Sequence, residues 1–171
     1  MRFGGQDKGE ILIEGERLID IIHNRLLPQS SEIIISGTHD YDLGLTVVPD
    51  IQDAPGGPVG GLYSIWSYLK SRDVEGFFTA AIDGPKLPSD LTAKLYDEAA
   101  STIAADEQGQ HPTYAWWRME DLSDLWPRLD MQNSLSLKSL IDLTKAEYVE
   151  WDCSEIFVNI NRPEDLKNYV K

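Results

Sequence analysis

Four short groups of polar residues have the types and spacing that phosphate chemistry requires. The first is residues 4–8, GGQDK. Glycines such as Gly4 and Gly5 let a backbone turn tightly and bring its N–H groups close to a phosphate. Lys8 follows this turn, where its ammonium would contact phosphate oxygens. The spacing is not that of a Walker A motif, and on spacing alone an unstructured N-terminal tail is the favoured alternative.

Asp83 is the second candidate. It directly follows the apolar run 76–82 and precedes Gly84 and Pro85. A carboxylate at the carboxyl end of a strand is well placed to hold Mg²⁺ on a nucleotide. Asp also commonly begins a Pro-containing turn, and the residues alone support both interpretations equally.

The other two groups contain a loop carboxylate and a pair of amides. Asp50 opens a Gly- and Pro-rich loop that reaches Gly61, and this loop predicts a nucleotide pocket or else an ordinary long connection. Asn159 and Asn161 alternate at the end of a predicted strand, which would put both amides on one face toward substrate or metal. The commoner role for Asn161 is near a helix N-cap.

An alternation of strands and helices must position these residues. Apolar spacing predicts helices at 18–27, 62–70, 89–101, 119–129 and 135–144, and strands at 32–36, 45–48, 76–82, 102–105 and 113–117. Short extended pieces at 148–151 and 156–159 precede a last helix that opens at Pro163. The order predicts an α/β fold with helices on both faces of a mostly parallel sheet. Ligands bind such sheets at the carboxyl ends of the strands, here the loops after Ser36, Val48 and Ile82.

Composition limits the function classes. The chain has 171 residues, which suits a single domain over 1–171, and 15 Lys+Arg against 29 Asp+Glu give a net charge of −14. This charge argues against binding polymeric nucleic acid or an anionic membrane surface. No apolar run approaches the roughly 20 residues of a membrane span. The single cysteine, Cys153, excludes an internal disulfide and favours a cytoplasmic setting.

The candidate segments occur in the order of a known family's motifs. They are RFGGQDKG at 2–9, VVPD at 47–50 with GPVGG at 57–61, DGPKLP at 83–88, HPT at 111–113 and FVNINRPEDL at 157–166. Each segment is a weak signal alone, but together they span the chain. On these segments the chain resembles the molybdenum cofactor guanylyltransferases, also called molybdopterin-guanine dinucleotide biosynthesis protein A.

The resemblance implies a three-layer αβα sandwich of the nucleotide-diphosphosugar-transferase type, which is Rossmann-like. It implies Mg²⁺-dependent transfer of GMP from GTP to the phosphate of molybdopterin, with release of pyrophosphate. By carry-over, residues of the first and third segments would hold the nucleotide phosphates and the metal. A residue of the second segment would contact the nucleotide, and residues of the last segment would face the substrate or metal side. In the implied site the nucleotide is bound by Gly4, Gly5, Lys8, Asp50 and Asp83. Asp83 also binds Mg²⁺, and Lys8 and Asp83 are the catalytic pair. Asn159 and Asn161 bind the substrate.

Three departures from the family pattern leave alternatives open. The strand and L-A-G-G half of the signature before Arg2 is absent, so we expect the first strand of the sheet to be missing. In the stretch 132–138, which follows Met131, Lys138 is the only basic residue that could contact an anionic pterin. Residues 36–38, SGT, lack the asparagine that relatives often carry, which bears on the choice of nucleobase. The alternatives are a catalytically degenerate relative that binds a nucleotide or a partner, or a transferase for another nucleotide or acceptor. The sequence does not indicate an oligomeric state.

Overall fold

The computed structural model describes residues 7–131, 135–153, 156–161 and 165. The helices are α1 (Leu18–Leu26), α2 (Pro58–Leu69), α3 (Leu91–Leu95), α4 (Met119–Leu125) and α5 (Leu137–Thr144). The strands are β1 (Leu12–Ile13), β2 (Glu16–Arg17), β3 (Ile34–Ser36), β4 (Thr46–Val48), β5 (Gly76–Thr79), β6 (Thr102–Asp106), β7 (Gly109–Arg118) and β8 (Glu147–Glu150). Short 3₁₀ turns cover Lys8–Glu10, Leu27–Gln29 and Trp126–Arg128.

The larger strands form two sheets that share one direction. β3 and β4 are a parallel pair, and the second sheet has the order β5-β7-β6-β8. In the second sheet β7 is antiparallel to both β5 and β6, while β6 and β8 are parallel, so β5, β6 and β8 all point the same way. The carboxyl ends of β3 and β5 line one common cavity, so these two strands also run in the same direction. The predicted mostly parallel α/β arrangement is therefore confirmed, with β7 as the reversed strand.

Alternating side chains of the second sheet enter two separate cores. Phe78, Ala104 and Trp116 pack on one face with α1 and α3, whereas Phe77, Ile103 and Trp117 pack on the other with α2, α4 and α5. This alternation is the period of two that a strand imposes on its side chains. Two apolar faces require a helix layer each, which gives the predicted three layers.

Several predicted boundaries were wrong. Helix α2 begins at Pro58 rather than residue 62, because Pro fits the first helical turn and Gly57 before it adopts a positive φ of 72°. The helix predicted over 89–101 is only α3, with Asp90 at its N-cap position, and it ends where Tyr96 turns to extended backbone. Residues 156–159 form a turn and irregular loop instead of a strand. The hairpin of β1 and β2 was not predicted.

The predicted strands at 102–105 and 113–117 are confirmed, and some other predictions concern residues outside the described ranges. The pair 102–105 and 113–117 forms the β6–β7 hairpin. In this hairpin Trp116 and Trp117 are buried in the core, 4% and 0% exposed. Gly4, Gly5, residues 132–134 and the helix start at Pro163 lie outside the described residues. Among the described helices, none combines the length and apolar character needed to cross a membrane.

Helix α5 provides a matched test of this core. Leu140 is fully buried, whereas Leu143 on the same helix is 53% exposed. We expect Leu140→Ala to lower the free energy of unfolding by about 2–5 kcal/mol, through lost burial and an unfilled cavity. Leu143→Ala should change it by no more than about 0.5 kcal/mol. Urea unfolding measures both, and equal effects would contradict the assigned packing.

Candidate functional site

Lys8 lies at the start of a tightly fixed turn. The Asp7 carboxylate caps this turn by accepting a hydrogen bond from the Gly9 N–H at 2.8 Å. The Tyr41 hydroxyl donates to the same carboxylate at 2.8 Å. Burial, together with the hydrogen bond to Asp7, raises the pKa of Tyr41, so the hydroxyl stays protonated as the donor.

Gly9 allows this turn to pack closely. A Cβ at Gly9 would lie 2.4 Å from the nearest Tyr41 ring carbon and 3.0 Å from the Ile82 methyl. Only a residue without a side chain fits between them. The turn therefore rests directly on Ile82, the residue before Asp83, and this contact sets the position of Lys8.

The Lys8 ammonium joins two distant segments of the chain. Its Nζ lies 2.5 Å from the Asp83 carboxylate and donates to the Asn161 amide oxygen at 2.8 Å. The Lys8 and Asp83 side chains are 31% and 16% exposed, so both are accessible to a ligand. The structure thus brings together Lys8, Asp83 and Asn161, three of the residues singled out in the sequence.

An aromatic cluster holds the loop that carries the asparagines. The Phe157 ring packs against His111, Tyr114 and Trp151, with ring centroids 4.6, 4.9 and 5.3 Å away. In addition, the Ile160 N–H donates to the Asp83 backbone oxygen at 2.7 Å. These contacts fix the loop beside the end of the β5 segment, although the loop itself is not a strand.

His111 is anchored in turn by a carboxylate. Its Nε2 lies 2.9 Å from Asp106 Oδ1. Burial opposes the charged form of Asp106, but the adjacent His111 imidazole and the hydrogen bonds from the backbone N–H groups of Gln108 and Gly109 outweigh it and lower the pKa of that carboxyl. His111 of the HPT segment therefore packs against Phe157 and supports the loop that carries the two asparagines.

Two buried polar atoms beside Asp83 have no hydrogen-bond partner in the described part of the chain. They are the Tyr114 hydroxyl and Asn159 Oδ1. Both lie next to Gly84, where a Cβ would be 3.6 Å from Asn159 Oδ1 and would overlap the Tyr114 hydroxyl. Burial, reinforced by the Asp83 charge, raises the pKa of Tyr114 and keeps its hydroxyl protonated. Buried groups of this kind are costly, so they mark a place where a polar ligand would gain contacts.

A cavity of about 320 Å³ adjoins this cluster at the carboxyl ends of β3 and β5. Asp50, Ser36 and Gly61 line it, together with Ala80 and Ala81 just before Asp83. A Cβ at Gly61 would lie 2.8 Å from Ser36 Oγ and 3.7 Å from Asp50 Oδ1, so glycine keeps this part of the cavity open. The Ile51 N–H donates to Ser64 of α2 at 2.9 Å and so holds the Asp50 loop against that helix.

The sequence-predicted residues therefore occupy two adjacent parts of one site. Lys8, Asp83 and Asn161 form the charged part, Asn159 lies beside it, and Asp50 lines the neighbouring cavity. Sequence reasoning assigned no role to the residues that support this arrangement. Asp7 had a local signal, as an acid before a short turn, whereas Tyr41 and Tyr114 had none, because their contacts are made only in the folded chain.

The donor set suits a hard divalent cation. Asp83 offers a carboxylate, and Asn159 and Asn161 offer amide oxygens, which are the ligand types that Mg²⁺ prefers. The Lys8 ammonium already occupies a position between two of these oxygens. No cluster of three or more His, Cys, Asp or Glu residues occurs among the described residues. Mg²⁺ bound with a nucleotide needs only one or two carboxylates, because phosphates and waters complete its coordination.

Comparison with known proteins agrees with this architecture. The family model for the MobA-like NTP transferase domain matches residues 1–146. A molybdenum cofactor guanylyltransferase from Yersinia pestis (strain Pestoides F) is 30% identical over 172 residues, covering 96% of this chain and 86% of the relative.

Solved structures show the same fold. Molybdopterin-guanine dinucleotide biosynthesis protein A from Archaeoglobus fulgidus superposes with a TM-score of 0.70 at 19% identity, over 96% of this chain and 89% of that one. The 2-C-methyl-D-erythritol 4-phosphate cytidylyltransferase from Thermus thermophilus gives a TM-score of 0.58 at 11% identity, over 94% and 91%. With its motifs, its fold and these matches in agreement, the chain belongs to the MobA-like NTP transferase family, and it is a nucleotidyltransferase of the molybdenum cofactor guanylyltransferase type.

Proposed function

We propose that this protein transfers the GMP unit of GTP to the phosphate of molybdopterin and releases pyrophosphate, with Mg²⁺ as its cofactor, in the cytoplasm. The observation that carries the proposal is the meeting of Lys8, Asp83 and Asn161 beside the Asp50 cavity. The name of the Yersinia relative supports the choice of nucleotide and acceptor.

In the proposed reaction an oxygen of the acceptor phosphate bonds to the α-phosphorus of GTP. The bond from that phosphorus to the bridging oxygen of the β-phosphate breaks, and pyrophosphate leaves with its electron pair. Such transfers need little covalent chemistry from a protein, since positioning the reactants and neutralising their charge provide most of the catalysis.

The ion pair would provide that neutralisation. Lys8 and Asp83 keep a cation and an anion 2.5 Å apart at an accessible position. The ammonium would contact phosphate oxygens of the nucleotide. The Asp83 carboxylate, with the oxygens of Asn159 and Asn161, would hold Mg²⁺, whose charge offsets that of the triphosphate when it is bound. Asp7 and Tyr41 would keep Lys8 at this position, because they fix the turn that carries it.

The adjacent cavity would accept the nucleoside. Asp50 and the open face at Gly61 would contact its sugar or base, since a glycine permits close approach. Ser36, the last residue of β3, and Gly37 directly after it line the same cavity. The cavity would therefore select among the bases of the nucleoside triphosphates.

Asp83→Asn tests the charged part of the site. We expect it to lower kcat at least about 100-fold, as removal of a key electrostatic group does in other enzymes. Pyrophosphate release from GTP, Mg²⁺ and molybdopterin is the measurement. Asp124→Asn is the matched control, since Asp124 is exposed on α4, and it should leave the rate unchanged.

The outcomes separate the proposed enzyme from its alternatives. Turnover with CTP, ATP or UTP but not GTP would assign another nucleotide. Tight GTP binding with no pyrophosphate would indicate a degenerate nucleotide-binding relative. An Asp83→Asn protein as active as the unchanged protein would overturn the assigned role of Asp83.

Gly61→Val tests the cavity. The added side chain would project toward Ser36 and Asp50, so we expect the thermal stabilisation by saturating GTP to fall sharply. Gly56→Val is the matched control, because a Cβ at Gly56 meets no atom within 4 Å. Thermal unfolding with and without GTP gives the result, and equal GTP-induced shifts in the two variants would place the nucleoside elsewhere.

A further inference from the structure

The Lys8 ammonium lies between two oxygens to which the proposed function assigns Mg²⁺. Its Nζ is 2.5 Å from Asp83 Oδ2 and 2.8 Å from Asn161 Oδ1, which belong to two of the three side chains that would hold the metal. An ammonium and a hard divalent cation compete for such groups, because both are bound through oxygen atoms. In the structure, the protein's own cation therefore takes the contacts that a metal ion would need.

The two cations cannot share these oxygens. A divalent ion on the Asp83 carboxylate would lie beside the Lys8 ammonium, and like charges this close repel strongly even near a protein surface. The Asp83 side chain is 16% exposed, so salt screens the repulsion less than it would between two fully exposed charges. Metal binding at Asp83 therefore requires that the ammonium leave.

The oxygens are held in place, whereas the ammonium can move. The Ile160 N–H donates to the Asp83 backbone oxygen at 2.7 Å, and the Asn161 N–H donates to Asp165 Oδ2 at 2.8 Å. The Lys8 ammonium is instead carried on a flexible four-carbon stem, and its side chain is 31% exposed. The side chain of Lys8 is thus the part of this contact that can swing away.

A polyphosphate is the kind of ligand that can draw the ammonium away. Its charged oxygens accept hydrogen bonds, so they replace the contacts that Lys8 gives up at Asp83 and Asn161. A metal ion offers Lys8 no replacement, because an ammonium only donates. Asp83 would then become available to the metal when the phosphates that complete its coordination are bound.

We propose that Lys8 closes the metal site of the nucleotide-free protein. Its ammonium excludes a divalent cation from Asp83 and Asn161 until a polyphosphate binds the ammonium. This device rests on the proposed function, which assigns the metal to these oxygens, and it adds an order of binding: free Mg²⁺ binds with the nucleotide or after it. By linkage, each of the two ligands then raises the affinity of the protein for the other.

Mn²⁺ binding to the nucleotide-free protein tests the exclusion. Mn²⁺ prefers the same oxygen ligands as Mg²⁺, and the electron paramagnetic resonance signal of the free ion measures how much is bound. We expect Lys8→Met to lower the Kd for Mn²⁺ at least about tenfold, because it removes the competing charge. The ion pair is partly exposed, so its loss should change the thermal midpoint little.

Lys70→Met is the matched control for the loss of one positive charge. Lys70 is exposed at the carboxyl end of α2, whereas the cavity of the site adjoins the amino end of that helix. This variant should leave the Kd for Mn²⁺ unchanged. The double variant Lys8→Met with Asp83→Asn should lose the gain, because the gained metal would be held by Asp83. An unchanged or higher Kd in Lys8→Met would overturn the proposal, as would a gain that persists in the double variant.

A second measurement uses the unchanged protein, with ¹³C at the ε-carbon of its lysines. Inorganic triphosphate, added with EDTA and without metal, should shift the NMR signal of Lys8, because the ammonium moves to the phosphates. Mg²⁺ alone should leave that signal in place. The opposite pattern, a shift with Mg²⁺ and none with triphosphate, would overturn the proposal.

Neither measurement involves turnover, so the two proposals can fail separately. A protein that releases no pyrophosphate can still show the exclusion of Mn²⁺ by Lys8. Conversely, a failed exclusion leaves the comparison of pyrophosphate release between the unchanged protein and Asp83→Asn intact.

Discussion

The Lys8 ammonium, held between the Asp83 carboxylate and the Asn161 amide oxygen, is the contact on which the site depends. Its two partners are 75 and 153 residues away in the sequence, so the contact exists only when three separate segments are in place. The first segment is fixed by Asp7 and Tyr41, and the last by the packing of Phe157. Asp7, Tyr41 and Phe157 fix these segments while the Lys8 and Asp83 side chains remain partly exposed, so both charges are accessible to a ligand.

This arrangement explains how a strongly acidic protein can accept a polyphosphate. The net charge of −14 repels anions at long range, but an ion pair acts at contact distance, where screening and distance reduce the influence of the rest of the surface. The Mg²⁺ that we propose would act at the same short distance. The buried hydroxyl of Tyr114 adds a neutral donor beside Asp83. Local geometry thus outweighs the overall charge.

The same end of the fold connects the site to the sheet. Lys8 and Gly9 contact Asp83 and Ile82, which follow the carboxyl end of β5, so the turn that carries the proposed catalytic lysine packs directly on the end of the sheet. Parallel sheets are usually covered on both faces and paired on inner edges.

The sequence by itself determined the parts that local rules control. The alternation of short apolar strands with amphipathic helices predicted the layered α/β fold. Polar residues that follow apolar runs made Asp50, Asp83 and Asn161 candidates, and the glycine turn at Gly4 and Gly5 made Lys8 one. Helix limits were less well predicted, since the cap of α3 and the early start of α2 depend on neighbouring turns. Only the tertiary structure decided which polar residues meet, because Tyr41, Tyr114 and Phe157 act through contacts with distant segments. The reversal of β7 is likewise a property of strand pairing, which no local sequence pattern predicts.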